Sequence, residues 1–242
     1  MKISVIIPVH DLGEKILPCL NSIYAQDFSK SAYETLVVFD SCTDDSEGIV
    51  REWLKTHGDM RIRAFRTNCS CPGGARNVGL DNALGEFILF VDGDDYLMND
   101  SAMTILYNAA QGHNAVRMTD HGLSGGTVKF SKRLTMWLHF FSRELIGGDR
   151  FTDMLLNEDF EFVRRIRNKP GYNEATVDVP LYFYNYDRAR MIARIENVIG
   201  LSRERAKQGL PPLFVSDEFI PDEMDESAKA RIKQSAVWAK DK

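Results

Sequence analysis

The stretch that decides the fold runs from residue 85 to residue 95 and reads GEFILFVDGDD. Five apolar residues follow one another at positions 87–91, and the run ends at Asp92, the first of three carboxylates within four positions. An uninterrupted apolar run of this length is typical of a strand that is covered on both faces, as the strands of parallel sheets are. The stretch therefore predicts a parallel strand with an acidic carboxyl end.

The residues on either side of this strand alternate between strand and helix patterns. Three further strands are predicted, and each strand is followed by a helix whose apolar residues share one face. Alternation at this pitch predicts parallel strands joined by right-handed crossovers, and so an α/β fold with a doubly wound, mostly parallel sheet. The predicted strands cover residues 3–9, 36–39, 61–66 and 87–91, and the first, third and fourth helices cover residues 14–26, 75–83 and 103–110.

Local signals also predict where two of these helices begin. Asp44 and Glu47 have the spacing of a capping box, in which two side chains bond the first backbone N–H groups of a helix. The segment Pro72-Gly73-Gly74 predicts a turn that leads into the third helix. Both starts lie on the side of the sheet where the strands end.

The second half of the chain is less regular. Residues 137–141 are aromatic and predict a buried segment. Residues 177–186 alternate between apolar residues and tyrosines, which predicts one strand covered on a single face. An arginine-rich helix is predicted around residues 191–207, and it is followed by an acidic segment at 217–226. We therefore expect the sheet to be followed by a helical extension.

Composition and charge exclude several classes of protein. The chain has 242 residues, of which 44% are hydrophobic and 27% are charged, and this excludes a disordered or fibrous chain. A formal net charge of -5 disfavours a strongly basic nucleic-acid binder. No apolar run approaches the roughly 20 residues of a membrane span, and the first eleven residues lack the pattern of a signal peptide. Four cysteines without zinc or disulfide spacing predict reduced thiols and a cytoplasmic location.

Acidic residues gather at the predicted carboxyl ends of the strands, where open α/β sheets bind their ligands. Asp40 ends the second strand, and Asp92, Asp94 and Asp95 follow the fourth. Two like charges about 4 Å apart repel by on the order of 4 kcal/mol at an effective dielectric constant near 20, and a divalent cation such as Mg2+ or Mn2+ reverses that sign. The sequence Asp-Gly-Asp-Asp also suits a simple turn, so the residues alone leave both interpretations open.

Two classes of enzyme place an acidic pair after a buried strand. Phosphatases of the haloacid-dehalogenase type use an aspartate nucleophile with a second aspartate two residues later, and Thr or Val usually follows where this chain has Tyr96. Glycosyltransferases that use nucleotide sugars are the second class. A module that binds a nucleotide sugar without catalysis is a further alternative.

Five segments, taken together, decide between these alternatives. They are SVIIPVHD (4–11), VVFDSCTDDS (37–46), NCSCPGGARNVGLDNALGEFILFVDGDDYL (68–97), WLHFFSRELI (137–146) and NEDFEFVRRI (157–166). In this order and at this spacing they resemble glycosyltransferases of family 2, which have the GT-A fold. The resemblance implies a catalytic domain over residues 1–190, with a nucleotide-binding half at 1–100 and an acceptor half at 101–190, and leaves 191–242 as a helical and acidic extension.

The resemblance also implies roles for individual residues. Asp94 and Asp95 would hold Mn2+ or Mg2+ against the diphosphate of the donor, and Asp159 would be the catalytic base. The residues implied for the nucleotide-binding site are Pro8, Val9, His10, Asp40, Asn68, Arg76, Asp92 and Gly93.

Three of the candidate residues, His10, His139 and Arg190, have an alternative interpretation. His10 either stacks on a base or fills the end of its strand. Glu158, His139 and Arg190 are candidates for contact with the diphosphate or the acceptor. His139 lies in an aromatic segment and could equally belong to the core, and Arg190 could lie on a solvated helix face.

Asp159 is also singled out by its own helix. Helical spacing places Asp159 on the inward face formed by residues 162–166, with Glu158 pointing elsewhere and Glu161 pairing with Arg165 four positions on. An inward carboxylate is a better base than a solvated one, yet aspartate is also a common helix cap. The residues alone favour the cap, and the resemblance favours the base.

The function implied by the resemblance is the transfer of a sugar from a nucleoside diphosphate donor to an acceptor hydroxyl. The reaction would invert the configuration at the sugar and depend on a divalent cation, with UDP the expected nucleotide. The acceptor would be a saccharide, a lipid-linked molecule or another hydroxyl compound, and the family's commonest context is bacterial polysaccharide biosynthesis. A homodimer and a peripheral position at the inner face of the membrane are further expectations.

Overall fold

The computed structural model describes residues 1–123, 127–130, 134–152 and 158–185, with isolated positions at 193, 200, 201, 204, 207 and 208. The chain divides into two compact units, one of residues 1–153 with 158–185 and one of residues 154–157 with 186–242. All strands and helices named below belong to the first unit. The predictions for Arg190, for most of the helix at 191–207 and for the acidic segment fall outside the described residues.

Strands and helices alternate through the first half of the chain, as the sequence predicts. The strands are β1 (Ile3–Val9), β2 (Tyr33–Asp40), β3 (Ile62–Thr67), β4 (Phe87–Phe90), β5 (Tyr96–Leu97), β6 (Ala115–Met118), β7 (Asp120–Leu123), β8 (Thr127–Phe130), β9 (His139–Ser142), β10 (Glu174–Val177) and β11 (Tyr182–Tyr184). The helices are α1 (Ile16–Tyr24), α2 (Ser46–Leu54), α3 (Pro72–Asn82), α4 (Ala102–Ala109), α5 (Arg143–Ile146) and α6 (Glu158–Arg167). Within the described ranges, no helix has the length and apolar character that a bilayer crossing requires.

Seven strands form the central sheet, in the order β10-β6-β9-β4-β1-β2-β3. β1 runs parallel to β2 and β4, β2 runs parallel to β3, and β6 runs parallel to β10. Only β9 is reversed in this sheet, between β4 and β6. Six of the seven residues of β1 and all residues of β2 are buried, so both faces of the sheet are covered there. The predicted α/β fold with a doubly wound, mostly parallel sheet is confirmed.

A second, smaller sheet has the order β5-β11-β7-β8. Its strand β5 follows β4 after only five residues, and Leu97 of β5 pairs with Tyr182 of β11. The acidic loop 92–95 therefore leaves the central sheet at one end and enters the smaller sheet at the other. Both ends of the loop are held by strand pairing.

The predicted single strand at 177–186 is wrong. Val177 ends β10 in the central sheet, and Tyr182 begins β11 in the smaller sheet. Pro180 lies between the two strands and has no N–H with which to continue a ladder. The break changes the face on which the following residues lie, and Tyr182 is fully buried.

The helix starts also differ from the prediction. Asp44 accepts a hydrogen bond from the backbone N–H of Ser46 (3.0 Å), but Glu47 pairs with Arg66 and Arg51 instead of completing a capping box. The proline-glycine segment at 72–74 is the first turn of α3 rather than a turn before it. Proline is well suited to this position, because the first N–H groups of a helix have no partner within the helix.

The aromatic segment at 137–141 is buried, as predicted. Phe140 and Phe141 of β9 have no exposed surface, and Trp137 is only 8% exposed. The ring of Phe140 stacks on Phe87 of β4 at a centroid distance of 4.9 Å. This packing closes the core beside the strand that carries the acidic loop.

Candidate active site

Three strands end in residues with an unusual backbone. Asp11, Ser41 and Ser70 have positive φ angles of 45°, 51° and 53°, and each follows one of β1, β2 and β3. Residues other than glycine adopt this conformation at a cost of about 1–3 kcal/mol, and such residues concentrate at functional sites. The strain lies at the carboxyl edge of the sheet, where the sequence predicts the ligand.

Asp40 organises the loop that leads into α3. Its carboxylate is buried and accepts hydrogen bonds from the backbone N–H groups of Ser70 (3.0 Å) and Cys71 (2.9 Å) and from the hydroxyl of Ser41 (3.1 Å). Three donors occupy three of its roughly four acceptor positions. Asp40 therefore shapes the wall of the site, and it retains at most about one acceptor position for a ligand.

The other candidates for the nucleotide site surround Asp40. His10 is exposed, and its Nδ1 donates a hydrogen bond to the backbone carbonyl of Asp40 (2.8 Å). Asn68 is exposed on the loop after β3, whereas Pro8 is half-buried and Val9 is buried within β1. The exposed pair His10 and Asn68 can reach a ligand, and Val9 supports them from the core.

Gly93 is the position where the acidic loop lies closest to β1. A Cβ atom on Gly93 would lie 2.5 Å from Cδ1 of Leu12 and 3.1 Å from the carbonyl oxygen of Pro8. A side chain would therefore separate the loop from β1. Glycine at this position lets Asp92 and Asp94 stay at the edge of the sheet.

The carboxylates of the acidic loop are in different surroundings. Asp95 is 1% exposed, and its two oxygens accept hydrogen bonds from the hydroxyl of Tyr182 (2.6 Å) and the backbone N–H of Asn185 (2.8 Å). Burial, together with repulsion from Asp92 and Asp94, raises the pKa of Asp95 well above its ordinary value. Asp92 and Asp94 are half-buried. Asp95 thus anchors the loop, and Asp92 and Asp94 stay partly exposed.

The donor set of this loop fits a divalent cation that is shared with a phosphate. Mg2+ in such sites takes one or two carboxylates from the protein and its remaining ligands from water and substrate phosphates. Asp94 is a half-buried carboxylate in this loop, and the neighbouring Asp95 bonds Tyr182 and Asn185. Within the described ranges, the three-residue cluster suited to a metal is Asp11, Cys42 and Asp44.

That three-residue cluster is accounted for by a turn. Asp11 accepts hydrogen bonds from the backbone N–H and the hydroxyl of Thr43 (2.6 and 2.8 Å) and from the N–H of Asp44 (3.1 Å). These hydrogen bonds lower the pKa of Asp11, and the bond from the backbone N–H of Thr43 has the largest effect. The cluster therefore holds β1 against the loop after β2.

Arg76 lies at the centre of the site and is almost completely buried. Its Nη2 donates to Asp92 (2.6 Å) and its Nη1 donates to Glu158 (3.0 Å). Burial alone would lower the pKa of Arg76, but attraction to Asp92 and Glu158 outweighs it, and the pKa is raised. The sequence predicts that Arg76 contacts the nucleotide. In the structure, both terminal nitrogens of its guanidinium bond carboxylates of the protein.

Glu158 corrects one detail of the prediction for α6. The sequence predicts that Glu158 points away from the inward face, but its side chain is only 5% exposed because it faces Arg76. The expected pair of Glu161 and Arg165 is present, with 2.6 Å between Oε1 and Nε. A buried carboxylate with a buried cation beside it forms a compensated pair.

Asp159, the candidate base, lies beside this pair in the first turn of α6. It is half-buried, and one carboxylate oxygen accepts a hydrogen bond from the backbone N–H of Phe160 (2.8 Å). Burial and the neighbouring charge of Glu158 raise the pKa of Asp159 to about 6, against the opposing attraction of Arg76. A carboxylate with a pKa near 6 is ionised at neutral pH and still basic enough to accept a proton.

The candidate His139 belongs to the core. His139 has no exposed surface, donates from Nδ1 to the carbonyl oxygen of Thr135 (2.8 Å) and stacks on Phe141. Burial lowers the pKa of His139 to about 3, so the ring is neutral. The structure favours its core interpretation over contact with an acceptor.

Sequence reasoning did not find the role of Tyr182. Its hydroxyl donates to Asp95 and accepts a hydrogen bond from the backbone N–H of Asp92 (3.1 Å), so it fastens both ends of the acidic loop. The sequence signal for this role would have been Pro180, which separates Tyr182 from the preceding strand. The alternation of residues 177–186 concealed that break.

About two thirds of the chain matches the model of a known protein family. Residues 4–165 match the model of the family described as glycosyl transferase family 2. The chain belongs to glycosyltransferase family 2. This match covers both the acidic loop and Asp159, and it confirms the family resemblance that the sequence motifs indicate.

Two named curated relatives align over less than half of the chain. The poly(ribitol-phosphate) beta-N-acetylglucosaminyltransferase TarS of Staphylococcus aureus is 41% identical over 101 residues, which is 42% of this chain and 18% of TarS. The poly(ribitol-phosphate) beta-glucosyltransferase of Bacillus spizizenii is 37% identical over 103 residues, 43% of this chain and 16% of the relative. The matched stretches are thus a small part of these longer proteins.

Solved structures share the fold of the chain. S. aureus TarS 1-349 in complex with UDP-GlcNAc has a TM-score of 0.68 at 23% identity, covering 96% of this chain and 70% of TarS 1-349. The mannosyltransferase PcManGT from Pyrobaculum calidifontis, in complex with GDP-Man and Mn2+, has a TM-score of 0.66 at 20% identity, covering 97% and 68% of the two chains. These similarities confirm the GT-A fold of this family 2 member.

Proposed function

We propose that the chain transfers a sugar from a nucleoside diphosphate donor to an acceptor hydroxyl, with inversion and with the help of a divalent cation. The observation that carries the proposal is the pair of contacts made by Arg76. One guanidinium bonds both Asp92 at the end of β4 and Glu158 at the start of α6. Arg76 thus joins the end of β4 to the start of α6, which supports a site that combines the acidic loop with the candidate base Asp159.

The nucleoside of the donor would occupy the edge formed by β1 and β2. His10 and Asn68 are exposed there and can contact the base, while Asp40 holds the loop that supports them. Asp92 has one oxygen on Arg76, and its second oxygen can accept from a ribose hydroxyl. UDP is the expected nucleotide, since the structure of TarS is a complex with UDP-GlcNAc.

The diphosphate would lie against Asp94. A bound Mn2+ or Mg2+ would offset the negative charge that develops on the leaving nucleoside diphosphate. Asp94 is the residue that would hold the cation, and Asp95 keeps the loop in place through Tyr182. Asp95, the second expected ligand, bonds Tyr182 and Asn185 with one oxygen each, so each oxygen keeps a lone pair for a cation.

Asp159 would accept the proton of the acceptor hydroxyl. As that proton leaves, the hydroxyl oxygen attacks the anomeric carbon from the face opposite the diphosphate, and the bond to the diphosphate breaks. One displacement inverts the configuration, and no covalent sugar intermediate forms. The raised pKa of Asp159 suits this step. The carboxylate is ionised at neutral pH, and its pKa is close enough to that pH for it to accept a proton.

The acceptor we propose is a hydroxyl on a saccharide, a polymer or a lipid-linked glycan. The relatives act on such molecules by name, among them poly(ribitol-phosphate) and GalNAc(5)-diNAcBac-PP-undecaprenol. A place in surface polysaccharide biosynthesis follows from the same names. The homodimer, the cytoplasmic location and the peripheral membrane position stay predictions.

A donor screen tests the proposed function. The purified chain is heated with UDP, UDP-GlcNAc, UDP-glucose or GDP-mannose, each with Mn2+, with Mg2+ or with EDTA, and donor hydrolysis is measured in parallel. With a cation present, we expect one nucleotide class to raise the melting temperature by about 5–10 °C near 100 times its Kd and to be hydrolysed slowly, and we expect a smaller rise in EDTA.

The screen also separates the alternatives. Tight binding without hydrolysis or transfer would indicate a binding module. A trapped phosphoryl-aspartate on Asp92 would indicate a phosphatase and overturn the transferase assignment.

A further inference from the structure

Three residues of the helix α3, Gly73, Arg76 and Asn77, contact the start of α6 or the residues just before it. We propose that Arg76 is a positioning residue which, with Gly73 and Asn77, clamps the start of α6 to the acidic loop and so fixes the base Asp159 relative to the donor. The inference rests on the proposed function, because that function makes Asp159 the base. It assigns the Gly-Gly-Ala-Arg-Asn segment to the acceptor side of the reaction.

The first part of the clamp is the guanidinium of Arg76. Asp92 is 16 positions from Arg76 in sequence and Glu158 is 82 positions away, yet both carboxylates lie within 3.0 Å of its nitrogens. A planar guanidinium with a carboxylate on each of two nitrogens fixes both direction and distance. The side chain of Arg76 is 6% exposed and that of Glu158 is 5% exposed, so water competes little for these bonds.

The second part is an exchange of hydrogen bonds between Asn77 and Phe151. The side-chain amide of Asn77 donates to the carbonyl of Phe151 (2.9 Å) and accepts from its N–H (2.8 Å). The ring of Phe151 stacks on Phe162 of α6 at 4.0 Å and lies under the guanidinium of Arg76 at 5.6 Å. One residue of the segment before α6 is thus held by α3 through both its backbone and its ring.

The third part is the space left by Gly73. A Cβ atom at this position would lie 3.0 Å from Cβ of Phe151 and 3.3 Å from Cγ of Glu158. The missing side chain therefore permits α3 to approach both contacts of the clamp. Three residues within one and a half turns of α3 serve the same neighbouring segment, which is not expected of a helix that only binds nucleotide.

The charges around Asp159 allow a test whose result has a sign. Asp159 faces Glu158 on its own helix, Arg76 from α3 and Asp92 from the end of β4. Glu158 and Asp92 disfavour its ionised form, and Arg76 favours it. Removing Glu158 or removing Arg76 should therefore move the titration of Asp159 in opposite directions, whereas a general loosening of the fold would not.

The test measures transfer as a function of pH for Glu158→Gln and Arg76→Met. We expect the acid limb of kcat to move down by roughly one pH unit in Glu158→Gln and up by roughly one pH unit in Arg76→Met. Glu161→Gln is the matched control, because it removes the same charge from the same helix turn but from the pair with Arg165. Shifts of equal sign in the two variants, or an equal shift in the control, would overturn the proposal.

Arg76→Lys covers the case in which Arg76→Met does not fold. Lysine keeps the charge but cannot bond two carboxylates with a planar fork. A positioning role predicts a loss in kcat of at least about tenfold with the Kd for UDP changed less than threefold. A loss of UDP affinity with kcat retained would make Arg76 a donor contact and would overturn the proposal.

A second readout separates this inference from the proposed function. Carboxyl 13C NMR with labelled aspartate follows Asp159 in the metal-free protein without any substrate, and the Asp159→Asn spectrum assigns its signal. If no donor is turned over but the signal shifts with the expected signs, the base role fails and the clamp stands. If transfer is observed and the signal titrates alike in all variants, the clamp fails and the base role stands.

Discussion

Two corners of the cleft hold their carboxylates by different means. In the nucleobase corner, formed by Asp11, Asp40 and the loops after β2 and β3, the carboxylates accept hydrogen bonds from backbone N–H and hydroxyl groups. In the transfer corner, formed by Arg76, the acidic loop 92–95 and the pair Glu158 and Asp159, carboxylates face other charges.

The difference concerns ionisation. The carboxylates of the nucleobase corner keep one charge state, whereas the charge state of Asp159 in the transfer corner can change. Neutral donors keep a carboxylate ionised, as the lowered pKa of Asp11 illustrates. Burial and neighbouring charges raise the pKa of Asp159 to about 6, inside the range where a cell or an assay can change its state. We therefore expect pH, charge substitutions and cations to act on the transfer corner and to leave the nucleobase corner almost unchanged.

The largest effect is expected from Asp159→Asn, which removes the proposed base from the transfer corner and leaves the nucleobase corner unaltered. Loss of a positioned general base lowers the rate by about 10²–10⁴-fold. The Kd for UDP should stay within about threefold, because the nucleobase corner is untouched. Transfer rates and nucleotide titrations measure the two quantities, with Asp149→Asn in the ion pair with Arg165 as the control. Full activity in Asp159→Asn would refute the base assignment.

Asp94→Asn should have the next largest effect. The variant removes the carboxylate that we assign to the cation, so UDP binding in the presence of Mn2+ should weaken by at least about tenfold, or 1.4 kcal/mol. Binding in EDTA should not change, which isolates the cation from the nucleobase corner. Calorimetry under both conditions provides the measurement, with Asp81→Asn on the surface as the control. Equal affinity for UDP with Mn2+ in Asp94→Asn and the unaltered protein would remove the metal role.

The stability of Asp159→Asn sharpens the same comparison in a second way. Since the pKa of Asp159 is higher in the folded chain than its ordinary value of 3.8, its ionised form reduces stability above pH 6. The asparagine variant should be more stable than the original by on the order of 1–2 kcal/mol at pH 7.5, and the gain should vanish towards pH 4. Denaturant unfolding at both pH values tests this, and a constant difference across pH would contradict it.

Tyr182→Phe should weaken nucleotide binding less than Asp94→Asn does. The acidic loop loses the hydroxyl that bonds both Asp95 and the N–H of Asp92, at a cost of about 1–3 kcal/mol in unfolding free energy. UDP affinity with Mn2+ should fall several-fold, because the loop that presents Asp94 is less firmly held. Tyr33→Phe is the matched control: Tyr33 is a buried tyrosine that bonds the neutral carbonyl of Ile23. A similar loss of affinity in both variants would show that the effect is not specific to the loop.

The nucleobase corner was largely predictable from the sequence because its signals are local. The strand β1 ends two residues before Asp11 and β2 ends at Asp40, and parallel strands bring their carboxyl ends to one edge. No long-range partner had to be known to place these residues. The one detail that required the structure is that the oxygens of Asp40 bond the protein's own loop.

The transfer corner was only partly predictable because its partners are far apart in sequence. An inward helix stripe is about 100° wide, so residues 162–166 place both Glu158 and Asp159 near it and cannot rank them. The ranking depends on Arg76, 82 positions away. The role of Tyr182 was missed because the strand pattern breaks at Pro180. A single step in strand register moves every later side chain to the other face of the sheet.

The reversed strand β9 has a consequence for how the chain is made. During synthesis β1 to β4 leave the ribosome first, but the second edge of β4 stays without a partner until residues 139–142 arrive about fifty residues later. That open edge belongs to the apolar strand Phe-Ile-Leu-Phe, a sequence prone to pairing with other chains. The nascent protein therefore passes through a stage in which the apolar strand β4 has one edge without its partner strand β9.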